Sequence, residues 1–589
     1  MALQKHLLND AESLVVDSLT GLCAVNNQLA FDPPNKVVYK SKLDRSKVAL
    51  VCGGGSGHEP SHAGFVGEGM LSAAVCGNIF ASPSSSQVRR GIDLVENDAG
   101  TLILVKNYTG DILNFGLAAE QYAAEHVQEK SGKVKFLVVG DDVAVGRTQG
   151  GIVGRRGLAG VVLVYKIAGA LASQGGTLDE VYAIAEWVAG RIGTIGVGLE
   201  HCHVPGTAPP SSSLSTNEIE IGLGIHNEAG NKRLSPIPPL KELIPLLVDY
   251  ITSTTDAERG FLPFKNDGSD EVVLLVNNLG GMSELEIGGV VRAAREELRK
   301  RQIGVSRVLA GTLMTSLNMP GFSISLLLLP RVDEKHEAAK ILSLLDAPAQ
   351  TPGWKWNSTA PPNTPTPLAP AASSTKASTS SSSARIAAAQ PAEFIAALQR
   401  ACAALVAAEP EITRMDTIAG DGDCGLTLKA GAQAVEKLTK EGSITGADLV
   451  SDIVAIAKIA EMDMGGTSGA LYSIFFSALA QGIQATANGT STVTPEVWGN
   501  ALSAALDKLY TYTRARPPSR TLVDPLAAFI DAIKGGFAEA VKAAAAAAEH
   551  TKDVEAKAGR SAYVDTSVLT REKVPDPGAW GVKTILEAL

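Results

Sequence analysis

Positive charge is not in excess in this chain of 589 residues: 52 Lys and Arg stand against 62 Asp and Glu, a formal net charge of −10. That balance argues against a general nucleic-acid or anionic-membrane surface and points to small ligands. Long apolar runs are missing too. No uncharged stretch approaches the roughly 20 residues needed to cross a bilayer. Met1 to Glu12, which holds Lys5, Asp10 and Glu12, has no apolar secretory core. The expected location is the cytoplasm. Cysteine is sparse: Cys23, Cys52, Cys76, Cys202, Cys402 and Cys424 have no repeating spacing and no Cys-x-x-Cys pair, which favours free thiols over a disulfide framework or a zinc knuckle.

What is present is a 45% hydrophobic content, enough for substantial cores in two to four domains. In the first half, short apolar runs (Val48 to Cys52, Leu102 to Val105, Phe136 to Val139, Val272 to Val276) alternate with helical stretches. This pattern predicts an α/β fold. Residues 1–350 exceed what one core usually holds, so a subdomain break is expected near 185–200. Between 351 and 390 the chain turns to Pro, Ser, Thr and Ala, with Pro352, Pro361, Pro362, Pro365, Pro367 and Pro370 ahead of Ser373 to Ser383. Such a segment reads as a linker. Trp354 and Trp356 are expected to dock its start onto the first half. Residues 391–589 are rich in Ala, Leu, Glu and Lys, predicting an all-α half with helices over Phe394 to Ala408, Ala447 to Ile459 and Ala532 to His550.

Three segments of the first half carry polar chemistry. Val48 to Pro60 reads as a strand running into a loop of glycines that ends in His58; a plain tight turn is the alternative. The strand Thr101 to Lys106 leads to Asp111, and ligands of α/β sheets lie beyond the carboxyl ends of strands. Asp111 as a helix cap is the competing reading. Along Glu218 to His226, strand alternation puts Ile219, Ile221, Leu223 and Ile225 on one face and Gly222, Gly224 and His226 on the other. The imidazole is then expected over a floor without side chains, with a satisfied core histidine as the alternative. His201 and His203 lack a suitable partner and are read as a turn before Pro205.

In the second half Asp416, Asp421 and Asp423 fall within eight residues after a helix expected to end near Pro410. Their mutual repulsion calls for cations, and oxygen-only ligands suit Mg²⁺ better than zinc; a solvated acidic loop is the alternative. Glu461 to Ala470 closes one helix and opens another, where main-chain N–H groups with Thr467 and Ser468 suit a phosphate.

Taken together, Gly53-Gly-Gly-Ser-Gly-His-Glu59, Lys106-Asn-Tyr-Thr-Gly-Asp111, Gly222-Leu-Gly-Ile-His226, Gly420-Asp-Gly-Asp423, Gly465-Gly-Thr-Ser-Gly469 and Asp576-Pro-Gly578 resemble the single-chain, eukaryotic type of ATP-dependent dihydroxyacetone kinase, the family that includes the triokinase/FMN cyclases. The resemblance covers nearly the whole chain outside the linker. It implies that His226 captures the ketone of dihydroxyacetone as a covalent hemiaminal, a role that needs the neutral ring. His58 and Asp111 would handle the hydroxyl that receives phosphate, and Gly55, Ser56, Gly57 and Lys106 would bind the substrate. It further implies that Asp416, Asp421 and Asp423 hold two Mg²⁺ ions, and that Asp423, Cys424, Gly425, Leu426, Gly466, Thr467, Ser468, Arg520, Thr521, Arg560, Asp576, Pro577 and Gly578 contact ATP. One departure is that Arg516 to Asp524 lacks the Gly-Asp of the bacterial relatives. A homodimer follows from the same resemblance, with the helical half of one subunit facing the substrate half of the other. Glyceraldehyde is a further expected acceptor. Two other readings stand beside the kinase: cleavage of FAD to cyclic FMN and AMP at the same nucleotide site, and a non-catalytic sensor of triose and nucleotide.

Overall fold

In the first part of the chain the apolar runs Val48 to Cys52, Leu102 to Val105 and Val272 to Val276 become strands buried on both faces, while Phe136 to Val139 falls in a partly buried one. The computed structural model describes residues 5–126, 133–208, 214–332, 334–355, 361–362, 385–487, 489–558, 569 and 571–589. Trp356 and Arg560 lie outside these described residues. Contacts divide the chain into two units, Met1–Thr366 and Pro367–Leu589.

Twelve strands of the first unit form two six-stranded sheets among the described residues. The first holds β1 (Leu29–Asp32), β2 (Val37–Lys40), β3 (Ala49–Ser56), β4 (Ala73–Ile79), β5 (Thr101–Lys106) and β6 (Val134–Val139), in the order β1-β2-β4-β3-β5-β6. Four consecutive strands, β4, β3, β5 and β6, are parallel, with β6 at the edge. The second holds β7 (Ile192–Gly198), β8 (Ile219–Ile221), β9 (Lys232–Leu234), β10 (Glu271–Asn278), β11 (Gly304–Gly311) and β12 (Gly321–Leu328), in the order β11-β10-β12-β7-β8-β9.

Alternation sorts each strand between two cores. Ala49 and Val51 of β3 join Ile103 and Val105 of β5 under α2 (Ser85–Leu94) and α3 (Thr109–Glu125), the helices that follow α1 (Leu14–Ala24) along the chain. Leu50, Cys52, Leu102 and Leu104 face the other way, into a core that also takes Val273 and Leu275 of β10. Both sheets therefore share one central layer, occupied by α4 (Val161–Ser173), whose apolar residues wrap its whole circumference and are almost all buried. Helix α5 (Leu178–Ala189) borders it. The far face of the second sheet is covered by α6 (Leu240–Thr252) and α7 (Glu284–Lys300). Trp354 is 7% exposed and buried in the shared core, which fixes the end of the first unit.

The second unit is helical: α8 (Pro391–Ala419), α9 (Cys424–Lys440), α10 (Leu449–Ile459), α11 (Gly466–Thr486), α12 (Pro495–Tyr510), α13 (Val523–Ala532), α14 (Phe537–His550) and α15 (Pro577–Ala588) surround one core. Two helix boundaries differ from expectation. The first helix does not stop near Pro410 but runs on to Ala419. Proline removes one backbone donor and crowds the preceding turn, yet Cys402 and Leu405 before it and Ile412 after it are buried in the same core, which holds the helix together. The helix expected over Ala532 to His550 is interrupted at Ile533–Gly535, and Gly536 takes φ +113°, a conformation side chains resist. Helix α8 is long and apolar enough by length and composition to cross a bilayer; it packs here against α9 and α15.

Candidate functional site

The first constellation is built where β3 ends. The glycines expected to form a loop continue the strand instead: Gly53 and Gly54 pair with Val75 and Cys76 of β4 before a bulge at Ser56. Glycine permits this because a Cβ on Gly53 would stand 2.0 Å from the Val75 carbonyl oxygen. The bulge delivers His58 into a wholly buried position. Its Nδ1 lies 2.7 Å from the carbonyl oxygen of Thr315 and its Nε2 lies 3.0 Å from Nε2 of His226.

His226 reaches that point by a route the alternation pattern did not foresee. Strand β8 ends at Ile221, and Gly222 turns the chain with φ +77°. Ile219 and Ile221 enter the core of the second sheet, whereas Leu223 and Ile225 enter the core shared by both sheets. The single apolar face is thus corrected to two, and the space beside Gly224 is not bare: Glu228 and Arg156 fill it. The His226 ring meets Phe80, Tyr108 and His58 edge to face, with centroids 4.7 to 5.1 Å away.

Lys106, the last residue of β5, is buried, and Asp111 sits in the first turn of α3. Asp111 does not cap that helix; its carboxylate accepts a hydrogen bond from Ser82. Burial raises the Asp111 carboxyl, and the Lys106 ammonium opposes that rise. Burial lowers Lys106 in turn, against the pull of Asp111. For His58, burial and then the charges of Lys106 and His226 hold the imidazole well below its ordinary value, so the ring is a neutral base. Ser56 donates to the Gly77 carbonyl at 2.8 Å, and Gly55 and Gly57 sit against Phe80, where a Cβ would meet its atoms at 2.7 to 2.9 Å. His203 is held by His6 at 2.8 Å and faces the Thr207 carbonyl at 3.0 Å.

The second constellation lies in the helical unit. Oxygens of Asp416, Asp421 and Asp423 all come within 4.8 Å of one another. Asp416 is buried at the end of α8, and its Oδ2 accepts the Cys424 N–H at 2.9 Å at the start of α9. Gly420 leaves room for it, since a Cβ there would stand 2.3 Å from Asp416 Oδ1. Three convergent carboxylates offer the oxygen-only donor set that suits a hard divalent cation. They open on a cavity of about 590 Å³ that Gly466, Thr467, Ser468, Thr521, Pro577 and Gly578 also line. The N-terminus of α11 faces it with main-chain N–H groups, a natural anion site. Asp576 caps α15 by accepting the Ala579 N–H, and burial pushes its carboxyl up to about 7.

Three expected nucleotide contacts fall elsewhere. Arg520 is 1% exposed, donates to the carbonyls of Thr551 and Val574, and is not among the residues that line the cavity. Gly425 packs against α8, where a Cβ would strike Thr413 and Glu409, and Leu426 is exposed outside the cavity lining. Sequence reasoning also passed over Glu228, Ser82 and Thr315. Glu228 stood two residues from His226, whereas Thr315 offered no local signal at all.

Residues 20–353 match the Dak1 domain and residues 418–589 the DAK2 domain. The chain is 42% identical to the dihydroxyacetone kinase of Pichia angusta, over 98% of this chain and 97% of that one. It is 40% identical to the triokinase/FMN cyclase of Homo sapiens, over 99% and 98%. Among solved structures it resembles the dihydroxyacetone kinase from C. freundii in complex with AMP-PNP and Mg²⁺, with a TM-score of 0.63, 30% identity and coverage of 100% and 99%.

Proposed function

The chain belongs to the dihydroxyacetone kinase family, and from that premise we propose that it transfers the γ-phosphoryl group of MgATP to dihydroxyacetone, and also to glyceraldehyde. The observation that carries the reading is the pair His58 and His226 beside Lys106 and Asp111 in one unit, with a cluster of three aspartates in the other. In this reading the Nε2 of His226 bonds to the carbonyl carbon of the triose and holds it as a hemiaminal. Capture of this kind requires a carbonyl, so glycerol, of similar size and hydrogen-bonding capacity, is rejected by chemistry rather than by fit. Lys106 orients the bound triose through its ammonium. Gly55, Ser56 and Gly57 line the same strand end, where the Gly57 N–H donates to the Glu59 carboxylate at 3.1 Å. His58 and Asp111 take the proton of the hydroxyl that receives phosphate, a contribution of about 10²- to 10⁴-fold for a positioned base.

Asp416, Asp421 and Asp423 would hold two Mg²⁺ ions, which supply neutralisation of phosphate charge. The N–H groups at Gly466, Thr467 and Ser468 bind the phosphates, and Thr521, Asp576, Pro577 and Gly578 line the rest of the nucleotide cavity. We assign the protein to the cytoplasm, in keeping with six unpaired cysteines. A homodimer in which the helical unit of one subunit serves the substrate unit of the other completes the reading, because donor and acceptor are bound by different units.

The deciding experiment is a coupled ADP-release assay against dihydroxyacetone, glyceraldehyde and glycerol, run on the full chain and on His226→Ala. Ketone phosphorylation is expected to vanish in the variant while MgATP binding persists, and glycerol is expected to be inert throughout. Undiminished turnover in His226→Ala would refute the capture. The likeness to triokinase/FMN cyclases supports a second activity of the same nucleotide site, release of cyclic FMN and AMP from FAD. FAD turnover with Mg²⁺ or Mn²⁺, with and without dihydroxyacetone, tests it; no cyclic FMN under any of these conditions would exclude it.

A further inference from the structure

His226 is gripped on the side away from its reactive nitrogen. Its Nδ1 lies 2.9 Å from Glu228 Oε1, and its backbone N–H donates to Glu228 Oε2 at 2.9 Å. One carboxylate thus holds both the ring and the main chain. Gly224 makes room for this grip: a Cβ there would stand 2.0 Å from Glu228 Oε2 and 2.5 Å from Arg156 Nη1. Arg156 is anchored in turn, Nε donating to the fully buried Asp142 at 2.7 Å and Nη2 to the Gly222 carbonyl at 2.6 Å.

We propose that Glu228 is a positioning residue for carbonyl capture: it fixes the form of His226 that carries a proton on Nδ1, leaves Nε2 to attack, and neutralises the ring once Nε2 is bonded to carbon. Gly224, Arg156 and Asp142 hold Glu228 in place. The inference rests on the reading of His226 as the capturing nucleophile.

The hydrogen-bond geometry sets the proton count. A carbonyl only accepts, so His58 carries a proton on the Nδ1 that faces Thr315. A carboxylate likewise only accepts, so His226 carries a proton on Nδ1. Two Nε2 atoms 3.0 Å apart then need one further proton between them, because two lone pairs would repel. Capture consumes that proton. When that proton passes to His58, which is otherwise neutral, the Nε2 lone pair of His226 forms the N–C bond, the π pair of the carbonyl moves to oxygen, and the Nε2–H of His58 protonates that oxygen. One N–C bond forms, one C=O π bond breaks, and the positive charge of the pair ends on the His226 ring against Glu228. His58 is left neutral with a free Nε2, the state a base for the acceptor hydroxyl requires.

The other charged and titratable groups around the pair are Lys106, His62, Asp111, Tyr108 and Arg156. Burial works against ionisation of Glu228, but the hydrogen bond and charge of His226 hold its carboxyl down at about 2, so the counter-charge is present across the working pH range.

The test uses the full chain and Glu228→Gln. We expect kcat/KM for dihydroxyacetone to fall about 10- to 100-fold, as for loss of a group that orients a reactive imidazole, with MgATP affinity unchanged. With [2-¹³C]dihydroxyacetone, the tetrahedral-carbon resonance of the adduct should be strong in the wild-type chain and weak in the variant. A fall in rate with an adduct resonance of equal strength in both would overturn the role of Glu228 alone. A wild-type chain that gives no tetrahedral carbon would overturn the capture by His226 and this inference with it. Should Glu228→Gln fail to fold, ¹⁵N shifts of the His226 ring in the wild-type chain decide: a protonated Nδ1 is expected, and a bare Nδ1 would refute the proposal.

Discussion

Asp111 Oδ2 lies 3.3 Å from the point where a side chain on Gly54 would begin, and Gly54 itself holds φ +147°. The strand end and the first turn of α3 approach so closely that only glycine fits both the conformation and the space. Gly54→Ala is expected to cost the first unit about 1–3 kcal/mol for the forced backbone. It should also lower kcat/KM for the triose at least about 10-fold by displacing Asp111, with MgATP binding untouched. Unfolding curves and steady-state kinetics check both; a variant of normal activity would show that the approach is not needed.

Asp421 and Asp423 are exposed while Asp416 is buried, so the first two can be altered without opening the core. Asp423→Asn is expected to weaken MgATP binding at least about 10-fold while leaving triose capture intact, as seen by calorimetry in titrations with and without chelator. Mixing His226→Ala with Asp423→Asn subunits should restore activity if one subunit's helical unit serves the other's substrate unit. No restoration after confirmed subunit exchange would exclude pairing in trans.

The Arg520 guanidinium donates to Thr551 at 3.0 Å and to Val574 at 2.8 Å. Arg520→Met should leave two buried carbonyls unsatisfied and destabilise the helical unit by about 2–4 kcal/mol. The ATP affinity of the folded fraction should stay within about 3-fold of wild type, since this side chain does not line the cavity. A loss of ATP affinity at unchanged melting temperature would restore Arg520 to the nucleotide site.

His62 is enclosed, with Nδ1 2.9 Å from the Tyr165 hydroxyl and Nε2 unpartnered among the described residues. Burial, reinforced by the charge of Lys106, keeps its imidazole well below the ordinary value. Below about pH 6.5 the unfolded ring binds a proton and the folded ring does not, so stability falls as pH falls, by up to about 1.4 kcal/mol per pH unit. His62→Gln should flatten the pH dependence of unfolding of the first unit below about pH 6.5. An unaltered slope in that variant would mean the ring titrates equally in both states.

Much of this molecule is written locally. The apolar runs Leu102 to Val105 and Val272 to Val276 announce strands buried on both faces, because side-chain alternation is set by the backbone within each strand. The helical texture after Pro391 and the cluster of Asp416, Asp421 and Asp423 are likewise properties of neighbours in sequence. Local pattern failed where packing outweighed it. Pro410 did not end its helix, the glycines after Cys52 stayed in a strand, and Leu223 and Ile225 turned into a different core from Ile219 and Ile221.

The sequence by itself therefore settled the fold class of each half, the residue types available for binding triose and nucleotide, and the carboxylate cluster. Only the tertiary structure set His58 against His226 across 168 residues and the Thr315 carbonyl against His58 across 257. It also decided that Glu228 grips the imidazole while Arg520 is spent on the core. Spacing along a chain encodes periodicity, whereas the meeting of distant side chains depends on how sheets and helices pack.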